Sequence, residues 1–220
     1  MPTLLTAKGI LYDMDGTLVD TTECVENAWK QKAAKYGVDG DELIKHMHGR
    51  TCLDTLRTFF PPECHSKQFA DNFENEFVNI TEGVYPVPGV HPAVTAVSPE
   101  RWAVVTAASR MWALARLGQV GLPEPKLLIA ADDVTKGKPH PEGYLAGSKA
   151  LGLEGKDVVV FEDAVNGVKA ALAAGATVIA LTTSTTRERL AEAGAQHIVD
   201  DFTKVDITDH TTHLSIVLRE

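Results

Sequence analysis

The chain has 220 residues, 44% of them hydrophobic and 23% charged, a composition that excludes disorder, collagen-like repeats and low complexity. Thirty acidic side chains outnumber 21 basic ones and leave a net charge of −9 with His neutral. That balance excludes the basic footprint with which proteins grip nucleic acid or anionic membranes, and at first sight it also disfavours an anionic substrate.

The first predicted element is a strand over 9–12, the apolar run Gly9-Ile10-Leu11-Tyr12. The stretch 18–85 lacks a convincing strand. It reads as helices over 22–36, 41–47, 52–59 and 66–80, broken by Pro61-Pro62 and closed by Pro86 and Pro88. Thr21 and Thr22 stand where the first of these helices needs an N-cap. Strands over 103–105, 127–130, 158–161 and 177–181 then alternate with helices over 109–118, 141–151, 164–174 and 186–193. Gly118, Gly152, Gly175 and Gly194 fall at expected C-terminal caps. His197-Ile198-Val199 reads as a last short strand, and Leu214 to Leu218 fits an edge strand or a helical tail equally well.

Runs that are apolar throughout suit strands covered on both faces, and strand–helix alternation implies a parallel sheet with right-handed crossovers. The expected fold class is α/β: a Rossmann-like parallel-sheet core over 1–17 and 86–220, with a helical domain over 18–85 inserted after the first strand. Cys24, Cys52 and Cys64 are odd in number and form no CxxC pair, so neither a disulfide framework nor a zinc knuckle is indicated. No apolar run approaches the ~18 residues of a membrane span, and the first ten residues lack a signal-peptide pattern. A cytoplasmic, monomeric protein with neither nucleic-acid nor membrane partners is expected.

Chemistry concentrates at predicted strand ends, where open α/β sheets bind ligands. The first strand ends in Asp13-Met14-Asp15-Gly16-Thr17, with two carboxylates two residues apart before a glycine turn. The second ends in Thr106, followed by the small residues Ala107 and Ala108, whose amides can approach an anion. Lys138-Pro139 supplies a compact positive charge, and the strand over 158–161 ends in Glu162-Asp163. Carboxylates repel a phosphate unless a cation bridges them. The set therefore fits a phosphoryl group with one hard divalent cation, Mg²⁺ above all, and an Asp as nucleophile.

In order and spacing these residues resemble the four motifs of the haloacid dehalogenase-like superfamily, and the match spans almost the whole chain. The helical insert resembles the cap of the β-phosphoglucomutase-like branch. The strings Gly137-Lys138-Pro139-His140-Pro141-Glu142 and Phe161-Glu162-Asp163-Ala164, with Gly167, are similar to sugar and polyol phosphatases of the glycerol-1-phosphatase, 2-deoxyglucose-6-phosphate phosphatase and hexitol phosphatase types. The resemblance implies Asp13 as nucleophile and Mg²⁺ ligand, and Asp15 as general acid/base with its carbonyl on the metal. It implies Thr106 and the Ala107 amide on the phosphoryl group, Lys138 paired with that group and Asp13, and Asp163 as a further ligand. Glu162 would be a direct ligand or stand just behind. Ala107 departs from the Ser or Asn common in relatives, and the presence of Asp15 argues against dehalogenation.

Selectivity is expected from the insert, with hinges near 18–22 and 84–89. Arg50, next to Gly49, and His48 are expected to contact substrate, while a zinc site at His46 and His48 is disfavoured for want of partners. His140 is expected to brace the Lys138 loop, Asn166 to orient a metal ligand, and Trp29 to pack within the insert. The reading is a phosphomonoesterase acting on small sugar or polyol phosphates. A sugar phosphomutase is its rival and needs a second phosphate anchor, for which only Arg50 and Arg110 are available. A phospho-receiver module is disfavoured, because receivers are about half this length and carry no insert.

Overall fold

The apolar runs form strands. The structure, a computed structural model, describes residues 2–219, so Met1 and Glu220, the outer ends of the expected core, lie outside the described residues. The chain begins with β1 (Thr3–Ala7), β2 (Gly9–Tyr12) and β3 (Val19–Asp20). Helices α1 (Thr22–Tyr36), α2 (Gly40–Met47), α3 (Cys52–Phe59) and α4 (Lys67–Phe77) follow, and β4 (Tyr85–Pro86) ends that excursion. Next come α5 (Val90–Thr95), β5 (Trp102–Val105), α6 (Arg110–Gln119), β6 (Leu128–Ile129), α7 (Glu142–Ala150) and β7 (Val158–Glu162). The chain closes with α8 (Val165–Ala173), β8 (Thr177–Leu181), α9 (Arg187–Glu192), β9 (His197–Val199), β10 (Val205–Asp209) and β11 (Leu214–Leu218).

Six strands form one parallel sheet in the order β6-β5-β2-β7-β8-β9. The chain winds outward from β2 through β5 and β6, then returns to β7 and winds the other way. The order therefore reverses beside β2, and the crevice at the carboxyl ends of β2, β5 and β7 is the natural ligand site of a doubly wound sheet. All three strands are buried at every position, as their unbroken apolar runs require.

A second sheet was not expected. β1, β11 and β10 pair antiparallel with β11 in the middle, where Leu218 faces both Thr3 and Val205. Leu214–Leu218 is thus neither an edge strand nor a helix but the centre of a small sheet. β1 and β10 bury at most one face, so no continuous apolar run announces them. The inserted stretch also carries strand structure at its ends, because Val19 pairs with Pro86 and Asp20 with Tyr85. Gly118 lies inside α6, and the left-handed turn falls instead at Gly121; Gly152, Gly175 and Gly194 do take positive φ.

Side-chain caps begin the inserted helices. Asp39 accepts from the amides of Asp41 and Glu42, Thr51 from Asp54, and Ser66 from Phe69. Thr21 departs from its expected role: its hydroxyl makes no cap bond, and Asp20 Oδ1 accepts from the Thr22 amide at 3.1 Å. Trp29 packs as expected, with its ring 4.4 Å from Phe73 and 5.8 Å from Phe60.

Candidate active site

Three expected motif residues, Asp13, Lys138 and Glu162, converge from separate strand ends. Asp13 directly follows β2, and Lys138 reaches it from the loop after β6. Lys138 Nζ lies 2.6 Å from Asp13 Oδ1 and 2.7 Å from Glu162 Oε1, with all three side chains buried. The Lys138–Pro139 peptide is cis. Asp13, Glu162 and Asp163 each offer one carboxylate oxygen, and these oxygens lie within 4.8 Å of one another. Gly16, at φ 80°, turns the chain where a Cβ would sit 2.1 Å from Asp163 Oδ2, so both its conformation and its missing side chain are needed. Thr106, at the end of β5, accepts from the Ala108 amide at 3.0 Å, and Thr106, Ala107, Asp13 and Asp15 line one pocket.

Electrostatics follow from one lysine among several buried acids. Burial, then the neighbouring Glu162 charge, pushes the Asp13 carboxyl up to about 7 against the pull of Lys138. Burial and the charges of Glu162 and Asp13 hold Asp163 well above the carboxylate range, although Ser184 and Thr17 donate to it. Burial also opposes the Lys138 ammonium, but Asp13 and Glu162 overcome it and hold its pKa above the ordinary lysine value. Three carboxylates against one ammonium leave uncompensated negative charge in a dry site. Oxygen donors so close together fit a hard divalent cation.

Glu162 has no oxygen to spare. Oε1 accepts from Lys138 and from the Tyr144 hydroxyl at 2.8 Å, while Oε2 accepts from the amides of Asp163 and Ala164 at 2.9 and 3.0 Å. Asp15 stands apart from that cluster. Its Oδ1 accepts from Thr21 Oγ1 at 2.7 Å and from Trp112 Nε1 at 3.4 Å. Burial raises its pKa, and these two bonds pull it part of the way back.

Thr17 stood in the first motif without an assigned role, and Thr183, Ser184 and Tyr144 were not singled out from the sequence at all. Thr17 donates to Asp163 Oδ1 at 2.9 Å, Ser184 donates to Asp163 Oδ2, and Thr183 donates to the Gly16 carbonyl. A fifth strand end, that of β8, therefore braces the first and last motifs; the hydroxyl run Thr182 to Thr186 right after an apolar strand was the available signal. Tyr144 lies on α7 and carried no motif signal.

Residues of the insert divide. His48 and Arg50 line the main pocket; His48 Nε2 lies 3.2 Å from Glu26 Oε1, and Arg50 donates to Thr58 Oγ1 at 3.1 Å. Arg50 also lines a second cleft that runs past Lys138. His46 Nε2 lies 3.1 Å from Glu42 Oε1, and its ring stacks on Phe59. Asn166 does not touch a metal-cluster carboxylate as expected; its Nδ2 donates to the His48 carbonyl at 3.3 Å. His140 Nδ1 accepts from the Glu142 amide at 3.3 Å, which keeps it within its own loop.

Comparison with known proteins agrees with this geometry. The chain is 37% identical to hexitol phosphatase A of Escherichia coli, over 84% of this chain and 88% of that protein. It is 36% identical to 2-deoxyglucose-6-phosphate phosphatase 2 of Saccharomyces cerevisiae, over 90% and 89% respectively. The crystal structure of β-phosphoglucomutase from Clostridium difficile superposes with a TM-score of 0.77, covering 91% of this chain and 93% of that one at 21% identity, a likeness of fold. The family profile of the haloacid dehalogenase-like hydrolases matches residues 10–181. With the four motif positions gathered at the reversal point of a doubly wound sheet, the chain belongs to the haloacid dehalogenase-like hydrolase family.

Proposed function

We propose that this hydrolase is a Mg²⁺-dependent phosphomonoesterase acting on small sugar or polyol phosphates through an aspartyl-phosphate. The observation that carries the reading is the buried Asp13–Lys138 contact at 2.6 Å beside the Asp163 carboxylate. Asp13, Asp163 and the Asp15 carbonyl would hold Mg²⁺, with Glu162 behind them fixing Lys138. When bound, the cation supplies neutralising charge for the phosphoryl oxygens. An Asp13 carboxylate oxygen attacks phosphorus, and the ester P–O bond breaks as Asp15 gives its proton to the leaving alkoxide. Asp15, now ionised, takes a proton from water, which attacks the aspartyl-phosphate and releases inorganic phosphate while restoring both carboxyl groups. Lys138, Thr106 and the Ala107 amide stabilise the transferring group.

Residues 18–85 act in this reading as a cap over the core formed by 1–17 and 86–220, with His48 and Arg50 offered to the substrate. The β3–β4 pairing joins the two linkers and supports hinging there. A mutase is less well served. Arg110 donates to the Leu128 carbonyl and pairs with Asp133, so Arg50 alone remains as a second phosphate anchor. Cytoplasmic placement is supported by three free thiols. No helix is long and apolar enough to cross a membrane among the described residues. We take the protein as monomeric.

The test is a phosphate-release screen with MgCl₂ over phosphorylated sugars and polyols, ranked by kcat/KM and run beside Asp13→Asn. The expected result is release from several such esters and its loss in the variant. Release from none of them, or substantial turnover by Asp13→Asn free of host phosphatase, would overturn the reading.

A further inference from the structure

One carboxyl group in the main pocket takes no part in that chemistry. Glu74, on α4, is 8% exposed, and its Oε2 has no hydrogen-bond partner among the described residues. It lines the same pocket as Asp13, Asp15 and Thr106. Around it the inserted helices present a mainly apolar wall, with Val25, Ala28, Trp29, Met47 and Phe73. Ser109, the N-cap of α6, lies near enough to temper the rise of the Glu74 pKa. Ser109 Oγ itself accepts from the Trp112 amide at 3.2 Å. No cation pairs with Glu74 among the described residues. Lys32, on α1, is bonded instead to Glu76 at 2.7 Å. Burial pushes the Glu74 carboxyl up to about 7, with the Asp15 charge adding to the rise.

A buried acceptor left without a donor is unfavourable unless a ligand supplies one. Glu74 shares its pocket with the residues that would take the phosphoryl group, so what reaches it is the far end of the substrate. A hydroxyl satisfies the free oxygen; a second phosphate meets a like charge across a low-dielectric gap. We propose that Glu74 is a specificity-determining residue that hydrogen-bonds a hydroxyl of the sugar or polyol chain and rejects substrates carrying a second phosphate. This inference rests on the phosphomonoesterase reading and extends it to the non-reacting end of the ester. Selectivity of this kind arises from an unpaired polar group waiting for its partner, and it discriminates more sharply than apolar fit.

The experiment compares wild type, Glu74→Leu and Glu74→Gln on sorbitol 6-phosphate and on p-nitrophenyl phosphate, which has no hydroxyls. Glu74→Leu is expected to lower kcat/KM on sorbitol 6-phosphate by about ten- to hundredfold, mainly through KM, the range for a hydrogen bond to a charged group. Turnover of p-nitrophenyl phosphate, which also reports that the variant is folded, is expected to stay unchanged. Glu74→Gln keeps an acceptor but not the charge. It is expected to retain most polyol activity and to be inhibited more strongly by fructose 1,6-bisphosphate than wild type. Equal losses on both substrates in Glu74→Leu would show a structural role and overturn the assignment, as would no loss on either. A wild-type protein that releases phosphate from neither substrate would overturn the parent reading, and this one with it.

Discussion

Thr21 donates its hydroxyl to Asp15 Oδ1 at 2.7 Å, and it does so from the N-cap position of α1, where the chain enters the inserted helices. The contact joins the path of the chain out of the core to the group proposed to move protons. Burial raises the Asp15 pKa and the Thr21 bond lowers it. Removing that bond in Thr21→Val raises the pKa further, so the protonated form persists to higher pH and the basic limb of kcat/KM moves upward. A loss of about tenfold in kcat is expected for one hydrogen bond to a charged group. Full activity with an unmoved pH profile would show that Thr21 does not tune Asp15.

Metal-free protein is expected to lose stability as pH rises, opposite to common acid denaturation. A carboxyl whose folded pKa lies above its unfolded value binds a proton in the native state where the unfolded chain does not. Stability is then fully present below the unfolded pKa of ~4 and drains away as pH climbs through the folded pKa. For Asp13 and Glu74 the folded value is about 7, and Asp163 and Asp15 are shifted in the same direction. Lys138, shifted upward, contributes a constant amount throughout this window. The Tm of EDTA-treated protein should therefore fall between about pH 5 and pH 8. MgCl₂ should raise it most at the upper end, where the ligands are ionised. A metal-free Tm that is flat or rising over the same interval would contradict the stacked-carboxylate account.

The same cluster resolves an apparent conflict in the composition. A chain with net charge −9 is proposed to bind a dianion, yet the acids that would repel it are those that recruit the cation. Removing the metal should therefore abolish binding of inorganic phosphate as well as turnover. Calorimetry with phosphate on EDTA-treated and MgCl₂-loaded protein checks this, and tight binding without metal would refute it.

Residues whose place is written in their neighbours along the chain were legible. Asp13, Asp15, Thr106, Glu162 and Asp163 lie at or just past the ends of apolar strands and Lys138 in the loop after one, and parallel-sheet topology brings such ends together. Tyr144 and Glu74 were not legible, since each sits on a helix as an ordinary member of its pattern. Their importance arises from packing, Tyr144 against Glu162 and Glu74 against an apolar wall. Asn166 was misread for the same reason: its spacing from Glu162 pointed to the metal cluster, but its side chain turns to the His48 carbonyl in the insert. In the fold, β1 and β10 went unseen because a strand buried on one face leaves a faint pattern, whereas the buried β2, β5 and β7 announce themselves.

Tyr144→Phe isolates one bond at the base of the site. The Tyr144 hydroxyl donates to Glu162 Oε1 at 2.8 Å, the same oxygen that accepts from Lys138. Its loss leaves that oxygen with the lysine alone. Destabilisation of about 1–3 kcal/mol is expected, because the ring still fills its place while a charged acceptor loses a donor. A moderate fall in kcat with KM little changed should accompany it, measured by denaturant unfolding and initial rates. Unchanged stability would mean that water replaces the hydroxyl without loss.

Gly167→Ala tests how tightly Glu162 is held. Gly167 lies within α8, where alanine is a better helix former than glycine, so propensity alone predicts stabilisation of about 1 kcal/mol. Space predicts the opposite. A Cβ there would lie 1.6 Å from Glu162 Oε1 and 1.9 Å from its carboxyl carbon, so the side chain or the helix must move. Glu162 is fully buried and engaged through both oxygens, with Lys138 and Tyr144 on one and two amides on the other. Moving it breaks several charge-assisted bonds together and pulls Lys138 away from Asp13. The substitution should therefore lower Tm and cost at least about tenfold in kcat, a steric loss that outweighs the helix gain. An alanine variant as stable and active as the parent would show that Glu162 has room to retreat, and that its bonds to Lys138 and Tyr144 do not set the geometry of the site.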